Sequence, residues 1–157
     1  MWDQNWAQTH LKSIRQAYSK APHYYEYIDL LETLYEQKHE LLSDFIIEMT
    51  VALAKWIGIK NTQFLRSSNL KAVGEKTDRL INILNCLGAK HYITGPSAKD
   101  YLDESLFESN QIVLEYMEYN YPEYPQLFPP FEPRVSILDL LFMTGENALN
   151  FLYTEVK

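Results

Sequence analysis

His91-Tyr92-Ile93-Thr94-Gly95-Pro96-Ser97-Ala98-Lys99 is the stretch that decides the fold class. A short β-prone run stops at Gly-Pro, and Ser97 can open one helical turn or more, reaching Leu102. Downstream, Ile112, Leu114 and Tyr116 alternate along the chain as one face of a strand does. Upstream, Lys76 to Leu87 carries Leu80, Ile81, Leu84 and Leu87 on one side of a helix that Gly88 stops. Before it, Thr62-Gln63-Phe64-Leu65 reads as a further short strand and Arg66-Ser67-Ser68-Asn69 as a loop. Strand, helix, strand, helix, strand is the α/β order. The expectation is a small three-stranded or similar sheet with flanking helices. Three strands are few for a self-sufficient sheet, and an open edge would need cover.

The half that precedes this unit is helix-rich. Ala7, Leu11, Ile14 and Tyr18 follow helical spacing, and Ala21-Pro22 breaks that helix. Tyr24, Ile28, Leu31 and Tyr35 form a second stripe. Leu42, Phe45, Ile46, Met49, Leu53 and Trp56 form a third, which Gly58 ends. Towards the C-terminus, five of the seven prolines lie between Pro122 and Pro133, which excludes regular structure there. An ordered loop rich in aromatics is expected, with Tyr121, Tyr124, Phe128 and Phe131. Ser136-Ile137-Leu138-Asp139 then resembles a capping box, with Ser at the N-cap and an acid three residues on. A last short helix is expected over Ala148 to Tyr153.

The chain of 157 residues is of the size of one domain, and 46% hydrophobic against 22% charged residues is a globular balance. A single domain over 1–157 is expected. Fourteen Lys+Arg against 21 Asp+Glu give a net charge of −7. Nucleic-acid binding needs cations that displace counterions from phosphates, so no nucleic-acid partner is expected. Cys86 is the only cysteine, so an internal disulfide and a multi-thiolate zinc site are excluded. Its apolar neighbours suggest a buried helix residue. The four histidines show no paired spacing, and no metal site is expected. No apolar run approaches the roughly 20 residues of a membrane helix, and no signal peptide is visible. A cytoplasmic protein without membrane insertion is expected.

Charge is unevenly placed. Lys55 to Lys90 holds seven cations and two acids, whereas Ser97 to Gln126 holds one cation, Lys99, and seven acids. The basic stretch coincides with the strand–loop–helix unit, where α/β proteins bind ligands and helix N-termini attract anions. Arg66, Ser67, Ser68, Lys76 and Thr77 are therefore candidates for a phosphate or carboxylate site, with an ordinary solvated face as the alternative. Gly74-Glu75-Lys76-Thr77 looks like the end of a phosphate-binding loop, but Asn69 stands where the motif needs its first glycine, which excludes that reading. Gly95 and Ser97 are candidates at the second strand end, with an ordinary strand-to-helix turn as the alternative. Tyr116, Tyr119, Tyr121 and Tyr124 could stack on a ligand or fix the proline loop. Asp139 reads as a helix-cap acid.

Three stretches carry a family resemblance. They are Lys76-Thr77-Asp78-Arg79-Leu80 leading to Leu87-Gly88-Ala89, then Tyr92-Ile93-Thr94-Gly95-Pro96-Ser97-Ala98-Lys99-Asp100-Tyr101-Leu102-Asp103, and lastly Tyr124-Pro125-Gln126 with Phe131-Glu132-Pro133 and Ser136-Ile137-Leu138-Asp139-Leu140-Leu141-Phe142. With Arg66-Ser67-Ser68, Trp6 to Tyr18 and Ala21-Pro22, the chain resembles the WbqC-like family over nearly its whole length. Family members carry a preceding Gln-Pro-x-Tyr-x-Pro-Trp-like run, so the resemblance implies the C-terminal portion of a longer fold. They also carry His where this chain has Tyr121 before Pro122. The resemblance implies a context, bacterial surface-polysaccharide (O-antigen) biosynthesis, more than a reaction. A transferase or ligase would bind a small anionic ligand such as a nucleotide-sugar. Arg66, Ser68, Lys76 and Thr77 would hold the anion, Gly95, Ser97 and Lys99 would line the pocket, and Tyr101, Tyr124 and Gln126 would contact a sugar or acyl group. Lys99 is the candidate catalytic residue, as an electrostatic stabiliser. No cofactor is indicated. A non-catalytic binding or assembly module, with a homodimer as its partner state, is the alternative.

Overall fold

The computed structural model describes residues 5–118 and 122–152. It divides into two compact units, one of Met1–Thr62 with Tyr121–Lys157 and the other of Gln63–Asn120. Expectations for Tyr119, Tyr121 and Tyr153 lie outside the described residues.

The first unit is helical. Helices α1 (Trp6–Tyr18), α2 (Tyr24–Glu36) and α3 (Leu42–Trp56) fall where the apolar stripes predict. Leu11 and Ile14 of α1 and Tyr24, Ile28, Leu31 and Tyr35 of α2 point into one core with Phe45 of α3 and Phe142. Ridges at i, i+3, i+4 and i+7 give each helix one apolar face, and burying those faces stabilises them more than propensity does. The return segment adds α6 (Ile137–Thr144) and a 3-10 turn over Gly145–Phe151, in place of the last α-helix expected from Ala148. Leu140, Leu141 and Ala148 close a second core with Ile57. Five of α6's eight residues are buried, four of them in sequence from Asp139 to Phe142, so most of this helix's circumference faces the core.

Ser136 caps α6 as expected, its Oγ accepting from the Leu138 N–H at 3.2 Å. Asp139 does not complete the box; its carboxylate turns inward, as described below. With the cap resting on one side chain, Ser136→Ala should cost about 1 kcal/mol, or roughly 2–4 °C in melting temperature, and Ser136→Gly should cost less. A urea titration of the three proteins checks this order.

The second unit is a minimal α/β element. Helix α4 (Lys76–Cys86) is followed by strand β1 (His91–Thr94), a 3-10 turn over Pro96–Asp100, helix α5 (Glu104–Ser109) and strand β2 (Val113–Tyr116). The strands pair in parallel, His91 opposite Val113 and Thr94 opposite Tyr116. A parallel pair needs a long crossover, and residues 95–112 supply it. Ile81 and Leu84 of α4 pack with Phe107 of α5 and Ile112 beneath the strands. Tyr92 stacks on Phe107, with ring centroids 5.7 Å apart.

Three expectations are corrected. The sheet has two strands among the described residues, because Thr62–Leu65 carries no regular structure and is exposed at every position. Its apolar residues, Phe64 and Leu65, are adjacent rather than alternating, so they cannot share a strand face. Helix α5 supplies an element the periodicity did not mark. Cys86 is exposed, and so is Leu87, because the buried face of α4 is set by Thr77, Ile81 and Leu84.

Candidate functional site

The carboxyl ends of β1 and β2 meet in the second unit, and the crossover begins there. Thr94 O accepts from the Met117 N–H at 2.8 Å, which ties the two strand ends together. Gly95 is in ordinary extended backbone (φ −69°, ψ 156°), so its place does not depend on glycine's conformational freedom. Ser97 and Lys99 are exposed on the 3-10 turn that follows. The Lys99 ammonium sits 4.8 Å from the centroid of the Tyr116 ring. The Tyr116 hydroxyl donates to Glu104 Oε1 at 2.7 Å, and this bond pushes the phenol up to about 12. The geometry is a chain, Lys99 over Tyr116 onto Glu104, that fixes one cation at the end of a parallel strand pair. Among the described residues a ring face rather than a carboxylate holds that ammonium.

The start of α4, in the same unit, carries the other candidates. Gly74 (φ +92°) and Lys76 (φ +50°) both lie in the left-handed region as the chain turns into the helix. For Lys76 this conformation carries strain that the surrounding structure must hold. Arg79 Nη1 donates to Ala72 O at 2.7 Å and Asn82 Nδ2 to Val73 O at 3.0 Å, fastening the preceding loop onto the helix. Thr77 is buried, and its Oγ1 accepts from the Asp103 N–H at 3.2 Å. That bond joins α4 to the residue whose own carboxylate caps α5 by accepting from Ser105 N. Thr77 thus braces the unit, while Lys76 projects from it, exposed. Arg66 precedes the 3-10 turn Ser67–Asn69, and all three of Arg66, Ser67 and Ser68 are exposed. Tyr101 is 71% exposed.

Tyr124 and Gln126 belong to the other unit and form part of a different cluster. Its centre is Asp139, only 8% exposed. Asp139 Oδ1 accepts from the Tyr124 hydroxyl at 2.8 Å and from Gln126 Nε2 at 3.0 Å. Tyr18 of α1 also hydrogen-bonds this carboxylate. Gln126 is itself clamped: its Nε2 donates to Glu132 O at 3.0 Å and its Oε1 accepts from Glu132 N at 2.8 Å. Burial first, then Asp139, pushes the Tyr18 phenol up to about 12. The same two causes, burial leading, raise Tyr124. Phe131 and Phe151 flank the Tyr124 ring edge-on at 5.2 and 5.7 Å. Three donors converging on a buried carboxylate satisfy it and hold the proline loop against α1 and α6. This arrangement positions a loop; it does not present a free base.

Glu104, Asp103 and Tyr18 were not singled out by sequence reasoning. Asp103 had a local signal, an Asp two residues ahead of Ser105 at a helix start. The partners of Asp139 and Glu104 had none. Among the described residues, no group of three His, Cys, Asp or Glu side chains could hold a metal ion, and no helix is long and apolar enough to cross a membrane.

Comparison with known proteins adds the lineage. The uncharacterized protein Rv1507c of Mycobacterium tuberculosis (strain ATCC 25618 / H37Rv) is 37% identical over 150 residues, covering 94% of this chain and 64% of the relative's length. This chain therefore matches just under two-thirds of that relative. No solved structure matches the chain. The model of the WbqC-like protein family matches residues 2–151, which include the strand-end turn, the clamped proline loop and α6, and the chain belongs to that family.

Proposed function

We propose that the protein acts in the cytoplasm in bacterial surface-polysaccharide (O-antigen) biosynthesis, as a transferase or ligase that binds a phosphate-bearing sugar or nucleotide. The observation that carries the reading is Lys99, held over Tyr116 at the carboxyl end of the parallel pair, the place where open α/β sheets take their ligands. Lys76, in strained backbone at the start of α4, supplies a second exposed cation on the same unit. The resemblance to the family supports the context, and the charge distribution supports an anionic ligand. In this reading Lys99 stabilises charge that develops on a transferred or leaving phosphate. Ser97, Arg66, Ser67 and Ser68 add donors, Gly95 and Thr77 shape the surface, and Tyr101 offers an exposed ring.

Thermal-shift screening against nucleotides, nucleotide-sugars, phosphate and sulfate tests it. A ligand bound only by the folded state raises the melting temperature by mass action. A nucleotide-sugar is expected to stabilise the protein. Lys76→Ala and Lys99→Ala are each expected to weaken it by roughly 10- to 100-fold, the worth of a charge-assisted contact. An affinity unchanged in both variants would sink the reading.

A second reading, a non-catalytic assembly module, has its own support. The outer face of the strand pair exposes Ile93 (53%) and Val113 (62%) beside the His91–Glu115 contact at 2.7 Å. A two-stranded sheet with apolar residues on an open face suits pairing with a second copy. Size-exclusion with light scattering separates the readings: a dimer that ignores every nucleotide favours the module, and a nucleotide-binding monomer favours the enzyme.

A further inference from the structure

A shallow, solvent-open cavity of about 360 Å³ lies on the helical unit, lined by His23, Met143, Thr144, Asn147, Asn150 and Phe151. It shares no residue with the strand-end surface, and it meets the Asp139 cluster only at Phe151, which flanks Tyr124. We propose that it binds a neutral, hydroxyl-rich ring of the pyranose class. The proposal stands apart from the anion reading, because a different set of residues carries it.

The lining chemistry selects the ligand. Asn147 and Asn150 each present one acceptor and two donors, the complement of vicinal hydroxyls. The Thr144 hydroxyl donates to Leu140 O at 2.6 Å, so towards a ligand it can only accept. Phe151 and Met143 give the apolar wall that the C–H face of a sugar ring needs. Among the described residues no lysine or arginine lines the cavity, and Glu26 stands behind His23, so these residues offer an anion no counter-charge. The volume lies at the lower end of the roughly 300–1,000 Å³ of ligand pockets, the size for a small ligand.

His23 is fixed before any ligand arrives. Its backbone N–H donates to Phe142 O at 2.9 Å. Its Nδ1 lies 2.8 Å from Glu26 Oε1, and a carboxylate only accepts, so Nδ1 carries the proton. Nε2 is then the ring nitrogen left for a ligand hydroxyl. The ring lies so close over Gly145 that a Cβ there would meet it at 2.5–2.8 Å. On the far side Phe151 is braced by Tyr124. Walls held this way lose little freedom on binding, which favours even a small ligand.

Saturation-transfer NMR on the full chain with methyl α-glucopyranoside, methyl α-galactopyranoside, methyl α-mannopyranoside and N-acetylglucosamine tests the proposal. At least one pyranoside should show ring-proton transfer. Its affinity should fall tenfold or more in Asn147→Ala/Asn150→Ala, whose side chains are exposed and whose loss should leave the melting temperature within about 1 °C. His23→Gln should weaken it as well, and Lys76→Ala/Lys99→Ala should leave it unchanged. Absence of transfer from all four sugars would overturn the proposal, as would transfer that survives unchanged in both the asparagine and the histidine variants. Inorganic phosphate binding that disappears in the asparagine variant would also overturn it, because the cavity would then be an anion site.

Discussion

Asp139→Ala is expected to lower stability by about 3–5 kcal/mol, a fall of roughly 6–20 °C in melting temperature for a chain of this length. The loss does not come from the carboxylate's own burial, which is unfavourable in isolation. It comes from the donors left behind. The Tyr124 hydroxyl, Gln126 Nε2 and the Tyr18 hydroxyl all direct protons at this group. A buried donor without an acceptor costs about 1–3 kcal/mol, and water reaches some but not all of the vacated space. Asp139→Asn keeps the shape and one acceptor but turns an NH₂ towards donors, so it should cost about half as much. Tyr124→Phe removes one donor and leaves the carboxylate two, so about 1 kcal/mol is expected. That ordering, Ala worse than Asn worse than Tyr124→Phe, is what a clamp predicts. Equal costs for all three would mean that the hydrogen bonds carry no weight.

Alkaline titration gives the same cluster an independent readout. Tyr18 is raised from 10.0 to about 12, by burial and then by Asp139, and Tyr124 is raised by the same two causes. A group whose pKa rises on folding stabilises the fold fully below its unfolded value and loses that contribution as pH climbs through the folded one. Stability should therefore decline between pH 10 and about 12. The decline should be shallower in Asp139→Ala, since burial remains but the carboxylate is gone. Tyr116 titrates in the same window through Glu104, so the informative quantity is the difference between the two proteins.

The parts of the fold that were legible are those written in local periodicity. The stripes of α1, α2 and α3 need only i, i+3, i+4 spacing, and each helix lies where its stripe does. The strand pair was legible because Thr94-Gly95-Pro96 marks a stop and Ile112, Leu114 and Tyr116 mark alternation. Helix α5 was not, since its six residues bury only Phe107 and offer no second apolar turn. The strand expected at Thr62–Leu65 failed for the converse reason: a β-prone tetrapeptide without alternation has no face to bury.

The sites divide along the same line. Lys99 and Ser97 could be placed on the strand-end turn because their neighbours in sequence are their neighbours in space. Thr77 could be placed at the helix start, but its bond to the Asp103 N–H spans 26 residues and no local pattern announces it. Asp139 is the sharper case. Ser-x-x-Asp is a cap signature, and Ser136 does cap. The acid that completes the pattern instead meets Tyr124, 15 residues back, and Tyr18 on the first helix. The same four letters fit a cap acid and a buried anchor, and only the long-range packing of α1 against the return segment selects between them.

Gly145→Ala carries the other large expected effect, about 2–4 kcal/mol or roughly 4–16 °C. Gly145 ends α6 at φ +56° and ψ −130°, backbone that a side chain disfavours by itself. An added Cβ would also lie 2.5 Å from His23 Nδ1 and 2.8 Å from Cγ and Cε1, closer than side-chain carbons approach a ring. Relief requires the imidazole to swing away, breaking its contact with Glu26 and removing one wall of the cavity. The double variant His23→Ala/Gly145→Ala separates the two costs. If the clash dominates, adding Gly145→Ala to a His23→Ala background should cost about 1–2 kcal/mol, the torsional part alone, and the two substitutions will be strongly non-additive. If the full cost persists without the imidazole, the backbone angle is the whole cause, and the ring is not held against Gly145 in solution. In that case the preorganisation of the cavity fails with it, so one thermodynamic cycle tests both the turn and the wall that the turn supports.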